Sequence, residues 1–275
     1  MRTIDTGTEH LQARVEDGVA VLVMNRPERR NALSGEMLSG LALALREAET
    51  SSEIKCVVLT GAGAGFCSGG DVKGMAAGGE RGGGEGPSLD ERIAAQRASQ
   101  RETAGRIYRM PKPVIASLPG AAAGAGLSLA LACDLRIAAE NAVLTTAFAR
   151  VGFSGDYGGT YFLTQIVGPA RARELYYLSE RIDAKEAERL GLVNRVVPAA
   201  ALEEETRKLA LRLASGPTIA YRYMKENINR AAAGADAFDC MDLEATHHVH
   251  TGLTEDHREA ARAFVEKRSP VFKGR

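Results

Sequence analysis

The sequence predicts an α/β fold with a helical C-terminal region, and three observations carry that prediction. Strand-like apolar runs alternate with helix-like segments from about residue 11 to about residue 165. Beyond that point the pattern turns to amphipathic helices through to the end of the chain. At 275 residues the chain is long enough for one sizeable α/β body and an appendage. The expected division is a core over 1–200 and a helical lid or oligomerisation region over 201–275.

In chain order, "LQARVEDGVAVLVMN" (11–25) alternates apolar and polar residues around Asp17-Gly18, a two-residue hairpin signal. Residues 34–50 repeat apolar groups at helical spacing behind Ser34, a candidate N-cap. "IKCVVLTG" (54–61) reads as a buried strand. Residues 74–90 are so rich in glycine that ordering them costs more backbone entropy than their few apolar side chains return, so a mobile loop is expected. A polar, Arg-rich helix over about 90–109 precedes the strands "KPVIASL", "LRIAAE" and "AVLTT". Asp183 then caps "DAKEAERLG" with Glu186 at capping-box spacing and Gly191 as its stop. Helices follow at 201–215, 218–232 and 254–268, and no sequence repeat is visible.

Composition excludes several classes. Thirty-five basic and 35 acidic side chains give no net field toward nucleic acid or an anionic membrane. The N-terminus lacks a signal-peptide core, and no apolar run is long enough to span a bilayer, so a cytoplasmic protein is expected. Cys56, Cys67, Cys133 and Cys240 form no CxxC pair, which argues against disulfides and a structural zinc.

Two segments can hold an anion. In "GAGAGFCSGGDVKG" (61–74), glycines let the backbone present bare N–H groups, with Gly69 and Gly70 best placed before Asp71. In "LPGAAAGAGLSLALACD" (118–134), a small-residue loop runs into an apolar helix, whose first amides lie near Gly124 to Gly126. Either alone reads equally well as a tight turn or close helix–sheet packing. Together, each can aim one N–H at the same point, as an oxyanion hole requires.

Five stretches, "NRPERRNALS", "GAGAGFCSGGD", "PKPVIASLPGAAAGAGLSLALACDLRIA", "AKEAERLGLVNRVVP" and "EDHREAARAFVEKRSPVF", resemble in order and spacing the crotonase (enoyl-CoA hydratase/isomerase) superfamily. The resemblance runs from about residue 12 to the end. It implies a crotonase-type spiral of ββα units, assembly as a homotrimer or dimer of trimers, and an acyl-CoA thioester substrate. It implies no cofactor beyond the coenzyme A of that substrate and no metal. Carried over by position, the N–H groups of Gly70 and Ala125 hold the thioester oxygen. Arg26, Arg30 and Lys73, with Ser68, Gly69 and Asp71 on the first loop, border the CoA moiety. Phe264 and Lys267 resemble a pair that reaches the nucleotide of a neighbouring subunit.

Hydratases of this family use two glutamates to activate water. In register, those places hold Ser128 and Phe148, neither of which can act as a carboxylate base. Asp156, in "AFARVGFSGDYGG", falls where other branches carry their functional acid, and the segment resembles most closely the ring-epoxide/enoyl-CoA isomerase branch. A dehalogenase-like role is disfavoured because Arg101, not histidine, occupies about the partner position in the 90–109 helix. With Phe148, Phe153 and Tyr157 expected around it, Asp156 is predicted to be desolvated and basic enough to move a proton between carbons of an enolate-forming thioester.

Rival readings are hydration by other residues, dihydroxynaphthoyl-CoA synthase-like chemistry, an Asp-nucleophile thioesterase or dehalogenase, and a non-catalytic acyl-CoA binder. His247, His248 and His250 lack the partner pattern of a metal site and read as a polar helix end at a subunit contact. Cys67 reads as a small packing residue, and Tyr157 as an amphipathic wall.

Overall fold

The computed structural model describes residues 1–71 and 86–275 and contains the α/β core that the alternation predicts. β1 (Arg2–Thr3), β2 (Leu11–Glu16) and β3 (Val19–Met24) pair antiparallel. The β2–β3 turn is Asp17-Gly18, both with positive φ (51° and 77°), as the mirror-image hairpin turns require. β4 (Cys56–Gly61), β6 (Val114–Leu118), β8 (Leu135–Ala139) and β11 (Arg195–Val197) extend β3 in parallel, completing a seven-stranded sheet in the order β1-β2-β3-β4-β6-β8-β11.

Its central strands are buried on both faces. In β4, Val57 and Leu59 enter the main core, while Cys56 and Val58 pack with Ala210 and Ala214 of α7 (Leu202–Ala214) on the opposite face. On the main-core side lies α1 (Gly35–Thr50), started as expected by Ser34, whose hydroxyl accepts the Met37 N–H at 3.1 Å.

A second sheet is built from very short strands, β5 (Gly65–Cys67), β7 (Ala121–Ala123), β9 (Val143–Thr145) and β10 (Ile182–Asp183), in the order β10-β9-β7-β5. The glycine- and alanine-rich stretches read from sequence as loops thus contain strands. β4–β5, β6–β7 and β8–β9 each give one strand to each sheet. Helices complete the repeat: α2 (Leu89–Gln100), continuing through a π-helical turn (Arg101–Gly105) into α3 (Arg106–Arg109), then α4 (Ala125–Ala132) and α5 (Gly159–Leu178). This is the expected spiral of ββα units. Most of the predicted 74–90 loop lies outside the described residues; at its end, Ser88 and Glu91 form a capping box that starts α2.

Asp183 caps α6 (Ala184–Arg189) by accepting the Glu186 N–H at 2.8 Å, but Glu186 turns outward to Arg189 and leaves the capping box incomplete. The C-terminal region comprises α7, α8 (Thr218–Ala232), α9 (Ala237–Gly252) and α10 (Glu255–Val265). Lys225 ties α8 to the core by donating to the Asp134 carboxylate and the Ile107 carbonyl, each at 2.9 Å. Among the described residues no helix is long and apolar enough to cross a membrane.

Candidate active site

Two strand ends build the polar centre. β5 and β7 run parallel with a bulge between Gly65 and Cys67, so the chain leaves both strands side by side. The first exit is pinned by Leu33, whose N–H donates to Gly69 O at 2.8 Å, and by the Ser68 N–H donating to Arg30 O at 3.0 Å. Gly69 has φ +92°, and a Cβ there would stand 2.9 Å from Ala123 O and 3.4 Å from Ala125 N. Gly126 is as tightly placed, its missing Cβ falling 2.5 Å from Cys67 O and 2.7 Å from Cys67 Sγ. Glycine is required at both positions because the two loops touch. Beside this contact, the Gly70 and Ala125 amides donate no backbone hydrogen bond among the described residues. Ala125 is the first residue of α4, where the amide has no intrahelical acceptor and the helix dipole favours negative charge.

Asp156 is delivered by a strained connection. After β9, Ala147 (φ 57°) is left-handed, a 3₁₀ turn spans Phe148–Val151, and Gly152 (φ 71°) reverses the chain. Asp156 itself lies among Gly155, Tyr157 and Gly158, all at positive φ. Such conformations persist only where neighbours hold them. Here the Tyr157 N–H donates to Gln100 Oε1 at 3.1 Å, and the Tyr157 hydroxyl lies 3.1 Å from Ser99 Oγ. Both anchors sit at the end of α2, directly before the π turn, a backbone irregularity that recurs at functional sites.

Oδ1 of Asp156 is buried and has no hydrogen-bond partner among the described residues. Burial alone pushes its carboxyl up to about 6. Phe148 and Tyr157 are buried, as expected, but Phe153 is 56% exposed. The turn at Gly152 carries it outward, so it is not part of the wall. Its place is taken by Tyr176 of α5, which stacks on Phe148 with centroids 5.8 Å apart and 8° between planes. The Tyr176 phenol is pushed up by burial first and by the nearby Asp156 charge second.

Ser128 is buried in the first turn of α4 and donates weakly to Gly124 O at 3.3 Å. Cys67 is fully buried, its thiol pushed up to about 12 by burial, which leaves it inert.

Of the residues expected around CoA, Arg26 is engaged within the protein: its guanidinium reaches Ala32 O at 2.8 Å and Asp71 at 3.2 Å. Arg30 (φ +53°) is exposed and borders a cleft of about 460 Å³ with Arg29, Ser68, Gly70 and Asp71. Lys73 lies outside the described residues. Phe264 and Lys267 stand exposed at the end of α10. His247 is buried, 2.5 Å from Asn227 Oδ1 and stacked on Tyr223, an α8–α9 contact within one chain. Among the described residues no group of three His, Cys, Asp or Glu can hold a metal.

Sequence reasoning missed Asn31, Gln100 and Tyr176. Asn31 is fully buried and donates to Ala62 O and Gly65 O, each at 2.9 Å, shaping the first loop. Its φ is positive, a conformation asparagine tolerates well, but one that only the structure shows. Gln100 and Tyr176 act through tertiary contacts that leave no local pattern.

Chemically, the site offers two unengaged amides for a developing oxyanion and one desolvated carboxylate for a proton. The enoyl-CoA hydratase/isomerase family model matches residues 14–275. The 1,2-epoxyphenylacetyl-CoA isomerase of Escherichia coli (strain K12) is 37% identical over 268 residues, covering 97% of this chain and 99% of its own. A solved enoyl-CoA hydratase from Polaromonas sp. JS666 is 36% identical with a TM-score of 0.88, over 96% of this chain and 99% of its own. The enoyl-CoA hydratase from Bacillus anthracis is 34% identical with a TM-score of 0.87, over 97% of this chain and 100% of its own. A crotonase fold, two strand-end amides and matches along nearly the whole length lead to one conclusion: the chain belongs to the enoyl-CoA hydratase/isomerase family.

Proposed function

We propose that this protein isomerises an unsaturated acyl-CoA, with Asp156 as the single base and the Gly70 and Ala125 amides as the oxyanion hole. The observation that carries this reading is the buried Oδ1 of Asp156, unpartnered among the described residues, coupled with side chains at 128 and 148 that cannot act as carboxylate bases. Asp156 removes a proton from a carbon made acidic by the thioester. The thioester oxygen gains charge and is held by the two amides, and the carboxyl returns the proton to another carbon of the conjugated system. The bond shift is redox-neutral and calls for no cofactor beyond the CoA of the substrate. Arg30 and the cleft beside Gly70 are the proposed surroundings of the CoA phosphates, with Lys73 completing them. The exposed end of α10, with Phe264 and Lys267, is proposed to meet a neighbouring subunit of a trimer or dimer of trimers in the cytosol.

Proton NMR in D2O with 3-enoyl- and 2-enoyl-CoA tests the reading. The expected result is a shifted double bond with deuterium at the α- or γ-carbon, lost in Asp156→Asn. Formation of 3-hydroxyacyl-CoA that survives the substitution would instead identify a hydratase working through other residues.

A further inference from the structure

Arg26 spends its guanidinium inside the protein, and what it touches leads to the first oxyanion amide. Its side chain is only 12% exposed. Nη1 donates to Ala32 O at 2.8 Å. The Asp71 carboxylate lies farther off, 3.3 Å from Nη1 and 3.2 Å from Nη2, and holds the fork in that orientation.

Ala32 O and the Leu33 N–H belong to one peptide group. The Leu33 N–H donates to Gly69 O at 2.8 Å, and Gly69 O shares its peptide group with the Gly70 N–H. No peptide bond among the described residues is cis, and in a planar trans peptide the carbonyl and the N–H point in opposite directions. Two peptide groups therefore stand head to tail between the Arg26 guanidinium and the space in front of Gly70. A parallel bridge pairs Leu33 with Gly70 and fixes the second group in place. The Ala125 amide has no charged head of this kind: among the described residues, Gly124 O accepts from Ser128 alone, through its N–H at 3.0 Å and its hydroxyl at 3.3 Å.

A hydrogen bond accepted by a carbonyl draws electron density from the nitrogen of the same peptide group, so its N–H becomes a stronger donor and bonds in series reinforce one another. A cation at the head gives the first bond the added strength of a charged donor. Ala32 and Leu33 are buried, which keeps water from screening the chain. We infer that Arg26 is a positioning residue for the oxyanion hole: acting through the Ala32–Leu33 and Gly69–Gly70 peptide groups, it orients the Gly70 N–H toward the thioester oxygen and strengthens it as a donor. The inference rests on the Gly70 and Ala125 oxyanion hole proposed above, but not on Asp156 or on isomerisation. It differs from the CoA contact that the family resemblance implies for Arg26 in what a substitution disturbs.

Difference infrared spectroscopy of hexanoyl-CoA labelled with 13C at the thioester carbonyl reads the two donors, because this saturated ligand cannot undergo a double-bond shift. Wild type and Arg26→Met are compared at saturating ligand, and calorimetry gives the affinity of each for CoA alone, which has no thioester carbonyl. Binding to the wild type is expected to lower the carbonyl stretch. Arg26→Met should lose roughly 10–30% of that lowering, the strengthening that one hydrogen bond lends the next, while its affinity for CoA stays within about twofold. An unchanged lowering would overturn the inference. So would a loss of CoA affinity beyond about twofold, which would mark Arg26 as a CoA contact or as a general support of the loop. If Arg26→Met does not fold, the double substitution with Asp71→Asn, which also removes the carboxylate that Arg26 balances, takes its place in the infrared comparison. No lowering in the wild type, or no binding of hexanoyl-CoA, would overturn the inference together with the oxyanion-hole reading. A confirmed Arg26 effect without exchange in the D2O experiment would remove the isomerase mechanism alone.

Discussion

Replacing Asp156 with asparagine should stabilise the protein at neutral pH while abolishing isomerisation. The carboxyl is pushed from 3.8 up to about 6 by burial alone. A raised folded-state value means that the native protein binds this proton more tightly than the unfolded chain. Ionisation therefore opposes folding, by an amount that is negligible below about pH 4 and grows until pH exceeds about 6. About two units at about 1.4 kcal/mol each set a ceiling of about 3 kcal/mol at pH 8. At pH 5 the native carboxyl is already mostly protonated, and the penalty is about half as large. For 275 residues, an unfolding entropy of about 0.6 kcal/mol/K converts these penalties to a Tm rise of about 5 °C at pH 8 and about 2–3 °C at pH 5. Differential scanning calorimetry of both proteins at the two pH values measures the effect, and any pH-independent cost of burying an amide cancels in the comparison. A Tm difference that is the same at pH 5 and pH 8 would refute the claim that a desolvated charge resides at Asp156. In the wild type, kcat/KM should fall about tenfold per unit below pH 6 as the base is protonated.

Other substitutions probe the supports of the site. Gly126→Ala places a methyl group 2.5 Å from Cys67 O and should push the two amide-bearing loops apart; a loss of about 1–3 kcal/mol in urea unfolding is expected, with kcat/KM down by more than about tenfold. Gln100→Ala removes the acceptor of the Tyr157 N–H and should lower kcat more than KM in steady-state kinetics, because the Asp156 loop is loosened while the CoA contacts remain. Lys225→Met strips Asp134 of its cation and should cost about 3 kcal/mol of stability by chemical denaturation. Adding Asp134→Asn should recover part of that loss, since the uncompensated charge is then gone.

The larger architecture was legible where periodicity was long enough to read. The β2–β3 hairpin, the buried strands β4 and β6, and the caps at Ser34 and Asp183 all follow from local pattern. Apart from β9, read as "AVLTT", the second sheet was not legible from local pattern, because a three-residue strand such as Ala121–Ala123 has no period to detect, and the ββα repeat was available only through the family resemblance. α5 was obscured by Gly168-Pro169, which reads as a stop although the helical direction resumes beyond it. At the site, the burial of Asp156 was foreseen but its surroundings were partly misassigned. Phe153, three residues away, faces solvent, while Tyr176, twenty residues away, faces the carboxylate because α5 folds back over the loop. Arg26 shows what position alone does not reveal: its side chain pairs with Asp71, itself on the first glycine-rich loop.

The two amides at the ends of β5 and β7 belong to the main chain, and their donors do not depend on which side chains Gly70 and Ala125 carry. Short of proline, no single replacement deletes either N–H. Positions 128, 148 and 156, by contrast, contribute through side chains alone and can be exchanged without rebuilding the strand ends. On the proposed reading inheritance is thereby split: descendants of such a chain would keep main-chain donors for a thioester enolate, while point substitutions would redirect where its proton goes. A catalyst divided in the way proposed here could change its product without passing through an ancestor that has lost its intermediate.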